Sequence, residues 1–134
     1  PDRQAGVRHA IAVAMARSKR EIPHYYLWDD LDVSRALQWL AAKNAGRPAT
    51  ARLFPVALLL SAVARAASEF PDMNGHFDGV QLRSSTAVHL GVAVALRGGG
   101  LVAPAIRDAH ALRVEALMRQ LSDLVARARR GGLR

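Results

Sequence analysis

The chain has 134 residues, a mass of 14.5 kDa and 51% apolar residues, enough for the core of one domain. A formal charge of +8 and a pI near 11.4 raise nucleic acid as a partner, while the lack of cysteine excludes disulfides and thiolate metal sites. No stretch offers the roughly 18 to 20 consecutive apolar residues of a membrane span, since the richest, 53–67, is interrupted by Pro55, Ser61 and Arg65.

The first residues are polar and helix-like and show no secretory cleavage pattern, so a cytoplasmic protein is expected. The location of the charges argues against nucleic acid. The arginines are scattered, with their densest cluster at Arg127, Arg129, Arg130 and Arg134. The best aromatic cluster, Tyr25, Tyr26 and Trp28, stands beside Asp29, Asp30 and Asp32, whereas a base-stacking surface is basic around its aromatics.

Val7, Ile11, Ala14, Met15 and Ser18 recur at helical spacing, predicting a helix over about residues 3 to 20, with Asp2 as N-cap and Pro23 as terminator. From His24 the period shortens. Tyr25, Leu27, Leu31 and Val33 share one parity and predict a strand with one buried face. Asp32 then caps a second helix, with Ala36, Leu37, Leu40 and Ala41 inward, ended by Gly46 and followed by a loop through Thr50.

Pro55 suits the first position of a third helix over 55–69, which is apolar on nearly every side and is expected to be buried throughout. Asp78-Gly79 signals a two-residue hairpin turn. Val88, Leu90, Val92, Val94 and Leu96 alternate over a full strand, Gly98-Gly99-Gly100 turns the chain, and 101–106 forms another strand. Val114, Leu117, Leu121, Leu124 and Ala128 define a last amphipathic helix closed by Gly131-Gly132. Helices and hairpins in this order predict an α/β (α+β) fold, a mixed sheet covered by helices on one face.

Residue chemistry assembles no active site. His24 has no carboxylate at an offset that would hold it as a base, and His89 and His110 lack partners at metal-ligand spacing, so no metal is expected. His76-Phe77-Asp78-Gly79 reads as a solvated hairpin tip, and the glycine triplet lies between strands, where a phosphate loop does not. No serine has the nucleophile-elbow context.

Several ordered segments nevertheless carry a resemblance. Arg8-His9-Ala10-Ile11-Ala12 leads through Met15 to Ser18-Lys19-Arg20-Glu21-Ile22-Pro23-His24 and an aromatic segment ending Leu31-Asp32-Val33. An apolar helix closes on Phe70-Pro71, then Met73-Asn74 and Phe77-Asp78-Gly79. His89-Leu90-Gly91-Val92-Ala93-Val94-Ala95 precedes Gly100-Leu101-Val102-Ala103-Pro104-Ala105-Ile106-Arg107-Asp108-Ala109. A leucine- and alanine-rich helix ends in arginine, glycine and leucine. Together these resemble the catalytic domain of the 2-oxo acid dehydrogenase (dihydrolipoamide) acyltransferases.

The resemblance implies an incomplete two-layer sandwich similar to chloramphenicol acetyltransferase, with residues 1–134 as the N-terminal part of one catalytic domain. It implies a homotrimer or larger assembly working with a lipoyl domain and other dehydrogenase-complex subunits. An acyl group passes between a lipoyl thioester and coenzyme A, with no metal. The family's catalytic histidine, in a histidine-x-x-x-aspartate-glycine motif, and its oxyanion-stabilising hydroxyl belong to the second half, so no catalytic residue is expected here. Substrate-channel candidates are Ser18, Lys19, His24, Pro104, Arg107 and Asp108.

Some polar family positions have turned apolar, at Ala14, Phe54, Val56-Ala57 and near Trp39-Leu40. These weaken the expectation of coenzyme A binding and keep a non-catalytic assembly module open beside the enzyme reading. A basic nucleic-acid-binding domain stands behind both. The apolar third helix and the strand from Val88 predict a surface covered by other subunits.

Overall fold

A computed structural model describes residues 3–96 and 100–131. In chain order these form α1 (Arg3–Glu21), α2 (Ser34–Asn44), α3 (Pro55–Glu69), β1 (Gly75–Phe77), β2 (Leu82–Ser84), β3 (Leu90–Gly91), β4 (Val94–Ala95), β5 (Leu101–Val102), β6 (Ala105–Ile106) and α4 (Val114–Arg129), with short 3₁₀ turns between some of them. The fold is α+β.

The core lies between α3, α4 and the strands β3 to β6. Leu117, Leu121, Leu124 and Ala128 form the inward stripe of α4, as their spacing predicts, and meet Ala57 and Ala64 of α3. Val88, Val94 and Ile106 close the core from the strands. Each leucine buried this way contributes roughly 1.5–3 kcal/mol.

The segments 90–95 and 101–106 pair antiparallel. Leu90 pairs with Ile106 and Gly91 with Ala105, and in the same register Val94 pairs with Val102 and Ala95 with Leu101. The long strands expected here are broken in the middle. Val92 N–H donates to Pro104 O at 2.9 Å, but Pro104 has no N–H to return, so the ladder loses a rung at its centre. The face alternation is as expected, with Val88 and Val94 buried and Leu90, Val92 and Leu96 half-buried. Gly98 and Gly99 lie outside the described residues. So do Asp2, expected as N-cap of α1, and Gly132, expected beyond α4.

β1 and β2 pair antiparallel, Phe77 opposite Leu82. Asp78 N–H also donates to Gln81 O at 3.2 Å, so the residues between them are Gly79 and Val80, one position on from the two-residue turn expected at Asp78-Gly79. The reason is local: Asp78 Oδ1 accepts N–H bonds from Val80 and Gln81, both at 3.0 Å, and folds the loop around its own side chain. Gly75 is needed opposite, because a Cβ there would sit 2.7 Å from Arg83 O.

Three expectations fail on the N-terminal side and on α3. Residues 24–33 form no strand and lie exposed, with no neighbouring strand to take up their backbone groups. On α2 only Leu40 is buried, while Leu37 and Ala41 are exposed; Asp32 does engage the helix start, through Ser34 N–H at 2.8 Å, although Val33 is the capping residue. Gly46 ends this helix at φ 77, as expected. α3 has the predicted bounds but buries only one face; Val56, Leu59 and Val63 are exposed. The mixed sheet is not formed among the described residues, where every pair of strands is antiparallel.

By composition alone, 49–69 is apolar enough to cross a membrane. The continuous helix α3 has only 15 residues, about 22 Å at 1.5 Å per residue, short of a hydrocarbon core of about 30 Å. It also packs on α4, as a core helix does.

Candidate functional site

The six channel candidates fall in separate places. Ser18, half-buried near the end of α1, lines a groove of about 740 Å³ between that helix and the β1–β2 turn. Ala14, Ile22, His76 and Phe77 share its walls. At its rim Arg17 and Glu21 pair at 2.8 Å, which raises the arginine further above its usual range. Asp78 lies at the other rim. Its carboxyl is held below the ordinary range by the N–H groups of Gln81 and Val80 and then by Arg83, 2.6 Å away.

Lys19 Nζ donates to the Tyr26 hydroxyl. Its 5.1 Å distance to the ring centroid follows from that contact, so this is a phenol hydrogen bond at the ring edge and not a cation over the ring face. His24 Nδ1 is 2.6 Å from Ile22 O. A carbonyl only accepts, so Nδ1 is the donor in this contact. Both contacts fold the segment after Pro23 back on the end of α1.

Pro104 and Arg107 line a second groove of about 670 Å³, against Gln120, Leu124 and Arg127 of α4. Asp108 sits beside it in a left-handed conformation at φ 48. Its N–H donates to His89 Nδ1 at 3.0 Å, which leaves His89 protonated on Nε2. The Asp108 carboxylate is 3.8 Å from the same Nδ1. One ring nitrogen cannot accept from the amide and donate to the carboxylate at once, and the shorter contact decides in favour of the amide. Left-handed backbone in a non-glycine residue costs about 1–3 kcal/mol and persists where surroundings fix it, as His89 does here.

The two grooves share no lining residue. Ser18, His76 and Asp78 line one groove, but among the described residues no hydrogen bond joins them, and no three His, Asp or Glu side chains cluster as metal ligands. What the arrangement offers is walls: hydroxyl, imidazole and guanidinium groups at two groove edges.

The comparisons decide what these walls belong to. The family model for the 2-oxoacid dehydrogenases acyltransferase (catalytic domain) matches residues 3–134. The chain belongs to this acyltransferase family. It is 31% identical over 130 residues to the dihydrolipoyllysine-residue acetyltransferase component of the pyruvate dehydrogenase complex of Zymomonas mobilis, covering 96% of this chain and 29% of that protein. In structure it is similar to a probable dihydrolipoamide acetyltransferase from Listeria monocytogenes, with TM-score 0.85 and 30% identity, over 96% of this chain and 56% of that one. The cubic core of a pyruvate dehydrogenase multienzyme complex matches at TM-score 0.85 and 28% identity, over 94% of this chain and 53% of that one. The chain thus spans less than a third of that curated relative and little over half of each solved chain.

The positions at which the resemblance leads to an expectation of polar residues have defined places. Phe54 is exposed at the N-cap of α3 and makes no side-chain cap. Ala57 is buried in the core, and Val56 is exposed beside it. Ala14 lies in the groove with Ser18. One feature escaped sequence reasoning. The loop after Gly46 carries Arg47 to Glu115 on α4, 68 residues away. No local signal announces a pair so distant in sequence.

Proposed function

We propose that this chain is the N-terminal half of an acyltransferase catalytic domain that moves an acyl group between a lipoyl thioester and coenzyme A in a 2-oxo acid dehydrogenase complex. The observation that carries this is the near-complete structural match of the chain to about half of an acetyltransferase chain. In this reading Ser18, Lys19 and His24 line one end of the substrate channel, and Pro104, Arg107 and Asp108 another. The base and the oxyanion donor come from the second half of the domain.

The same reading completes the fold as a two-layer sandwich similar to chloramphenicol acetyltransferase, with the segment 24–33 becoming a strand once the other half supplies neighbours. It assembles as a homotrimer or larger core, works with lipoyl domains and the other subunits, and resides in the bacterial cytoplasm. The exposure of Trp28, at 90%, and Leu27, at 85%, supports a segment built to be covered.

The test is acyl transfer from acetyl-dihydrolipoamide to coenzyme A by the intact polypeptide carrying this chain. Turnover is expected, and Arg107→Ala or Lys19→Ala lowers it about tenfold. Absence of turnover in a folded, oligomeric protein refutes the reading. It would favour a non-catalytic assembly module, for which the apolar replacements Phe54 and Val56 speak; that reading predicts oligomers in sedimentation without coenzyme A binding.

A further inference from the structure

Asn74 stands just before β1 and ties it to the segment that follows β2. Its side-chain Nδ2 donates to Ser85 O at 2.9 Å and to Ala87 O at 3.1 Å. Its backbone O accepts from Ser85 N–H at 2.8 Å, and its N–H donates to Pro71 O at 3.0 Å. Ser85 Oγ donates to the same Ala87 O at 3.0 Å, so that carbonyl receives two donors.

The residue after Asn74 is held to glycine. A Cβ at position 75 would lie 2.7 Å from Arg83 O and 3.1 Å from Ser84 Cα, both backbone atoms. The close approach of β1 to β2 therefore places an Asn-Gly pair at the base of their hairpin. In such a pair the unhindered glycine nitrogen can attack the asparagine carboxamide carbon. The new C–N bond closes a succinimide, and the side-chain nitrogen leaves as ammonia. Water then opens the ring to aspartate or isoaspartate. Water is the sole co-reactant and nothing is oxidised or reduced. Gly75 is exposed and Asn74 half-buried, so water has access. The folded geometry holds the reaction back, because the carboxamide turns onto the Gly75 nitrogen only by releasing both carbonyls.

We propose that Asn74 is a deamidation site latched by its own hydrogen bonds, and that its conversion unlatches the β1–β2 hairpin irreversibly. An ionised carboxylate at this position only accepts. It would lose both donated bonds and set a negative charge against Ser85 O and Ala87 O. The isoaspartate product also adds a methylene to the main chain, which disturbs the pairing of Gly75 with Ser84. His76 and Phe77 of this hairpin wall the groove beside Ser18, so the change reaches that groove. The chemistry requires neither a lipoyl group nor coenzyme A and stands apart from the acyl-transfer reading.

The experiment incubates the intact protein at mildly alkaline pH and follows the tryptic peptide of residues 66–83 by mass spectrometry, reading the exchange of NH2 for OH at Asn74. A synthetic peptide of the same residues is the unlatched reference. The protein is expected to react at least about tenfold more slowly than the peptide, because reaction proceeds only through the locally opened hairpin. Asp78→Ala removes the acceptor that folds the turn and should bring the rate most of the way to that of the peptide. Equal rates in the protein and the peptide overturn the latch, as does a protein rate that Asp78→Ala leaves unchanged.

Amide exchange of Asn74→Asp tests the consequence. Protection of the Ser85 N–H should fall at least about tenfold while the α4 amides, which show that the variant is folded, keep theirs. Wild-type protection at Ser85 overturns the unlatching.

Discussion

The two ends of this chain use the same helical pattern to opposite effect. α4 buries Leu117, Leu121, Leu124 and Ala128 against α3 and the hairpin. α1 repeats Val7, Ile11 and Met15 at similar spacing and leaves all three exposed; from residue 5 to residue 35 only Ser18 is even half-buried. An apolar stripe makes a helix amphipathic, but burial needs a partner surface. α3 stands between these cases, with Ala57 and Ala64 buried on one side and Leu59 and Val63 exposed on the other.

If stability resides in the α3–α4–hairpin layer, the largest effect comes from its centre. Leu117→Ala, at a fully buried position, is expected to cost about 3 kcal/mol in urea unfolding, within the 2–5 range of such cavities. Trp28→Ala, in the exposed arm, should change the stability of residues 1–134 by less than about 0.5 kcal/mol. A similar loss for both would abolish the distinction between the two regions.

A smaller effect separates the core from the loop 45–54, which Asn44 clasps at its base. Asn44→Ala removes both of its side-chain bonds to Leu53 and should cost about 1–3 kcal/mol, read as a lower denaturant midpoint with unchanged slope. A wild-type midpoint would show that the clasp is not needed to hold the loop.

Acid probes the β1–β2 turn. The Asp78 carboxyl is depressed by Gln81, Val80 and Arg83, so its folded-state pKa lies below the unfolded value of about 3.9. The stabilisation is therefore complete above that value and is lost as pH falls through the folded pKa. Amide exchange at Val80 and Gln81 should rise below about pH 4, before the core amides lose protection. In Asp78→Asn that acid step should disappear, and its persistence would place the titrating group elsewhere.

The smallest change is expected at His110, whose Nδ1 is buried without a hydrogen-bond partner. His110→Leu should leave stability unchanged or raise it by up to about 1 kcal/mol. A clear loss would mean that the imidazole has a partner beyond the described residues.

Much of this was legible in the residues. Pro55 at the first position of α3, Gly46 after α2 and the α4 stripe each carry a local cause, and α3 has the predicted limits. The parity from Tyr25 to Val33 fits a strand, but parity says which face would be buried, not whether neighbours exist to pair with. Pro104 was seen as a family residue, yet its missing N–H is what splits the hairpin. The pair of Arg47 with Glu115 was invisible, since the loop after α2 meets α4 only in the packed fold.

The separation of walls from chemistry is the central claim, and acyl transfer by residues 1–134 alone tests it most directly. With acetyl-dihydrolipoamide and coenzyme A, the folded chain should give no turnover above the uncatalysed rate, while the same assay with the second half of the domain supplied should give turnover. Acyl transfer by residues 1–134 alone would contradict the account, because it would require a base and an oxyanion donor among described side chains that no hydrogen bond joins into a catalytic arrangement.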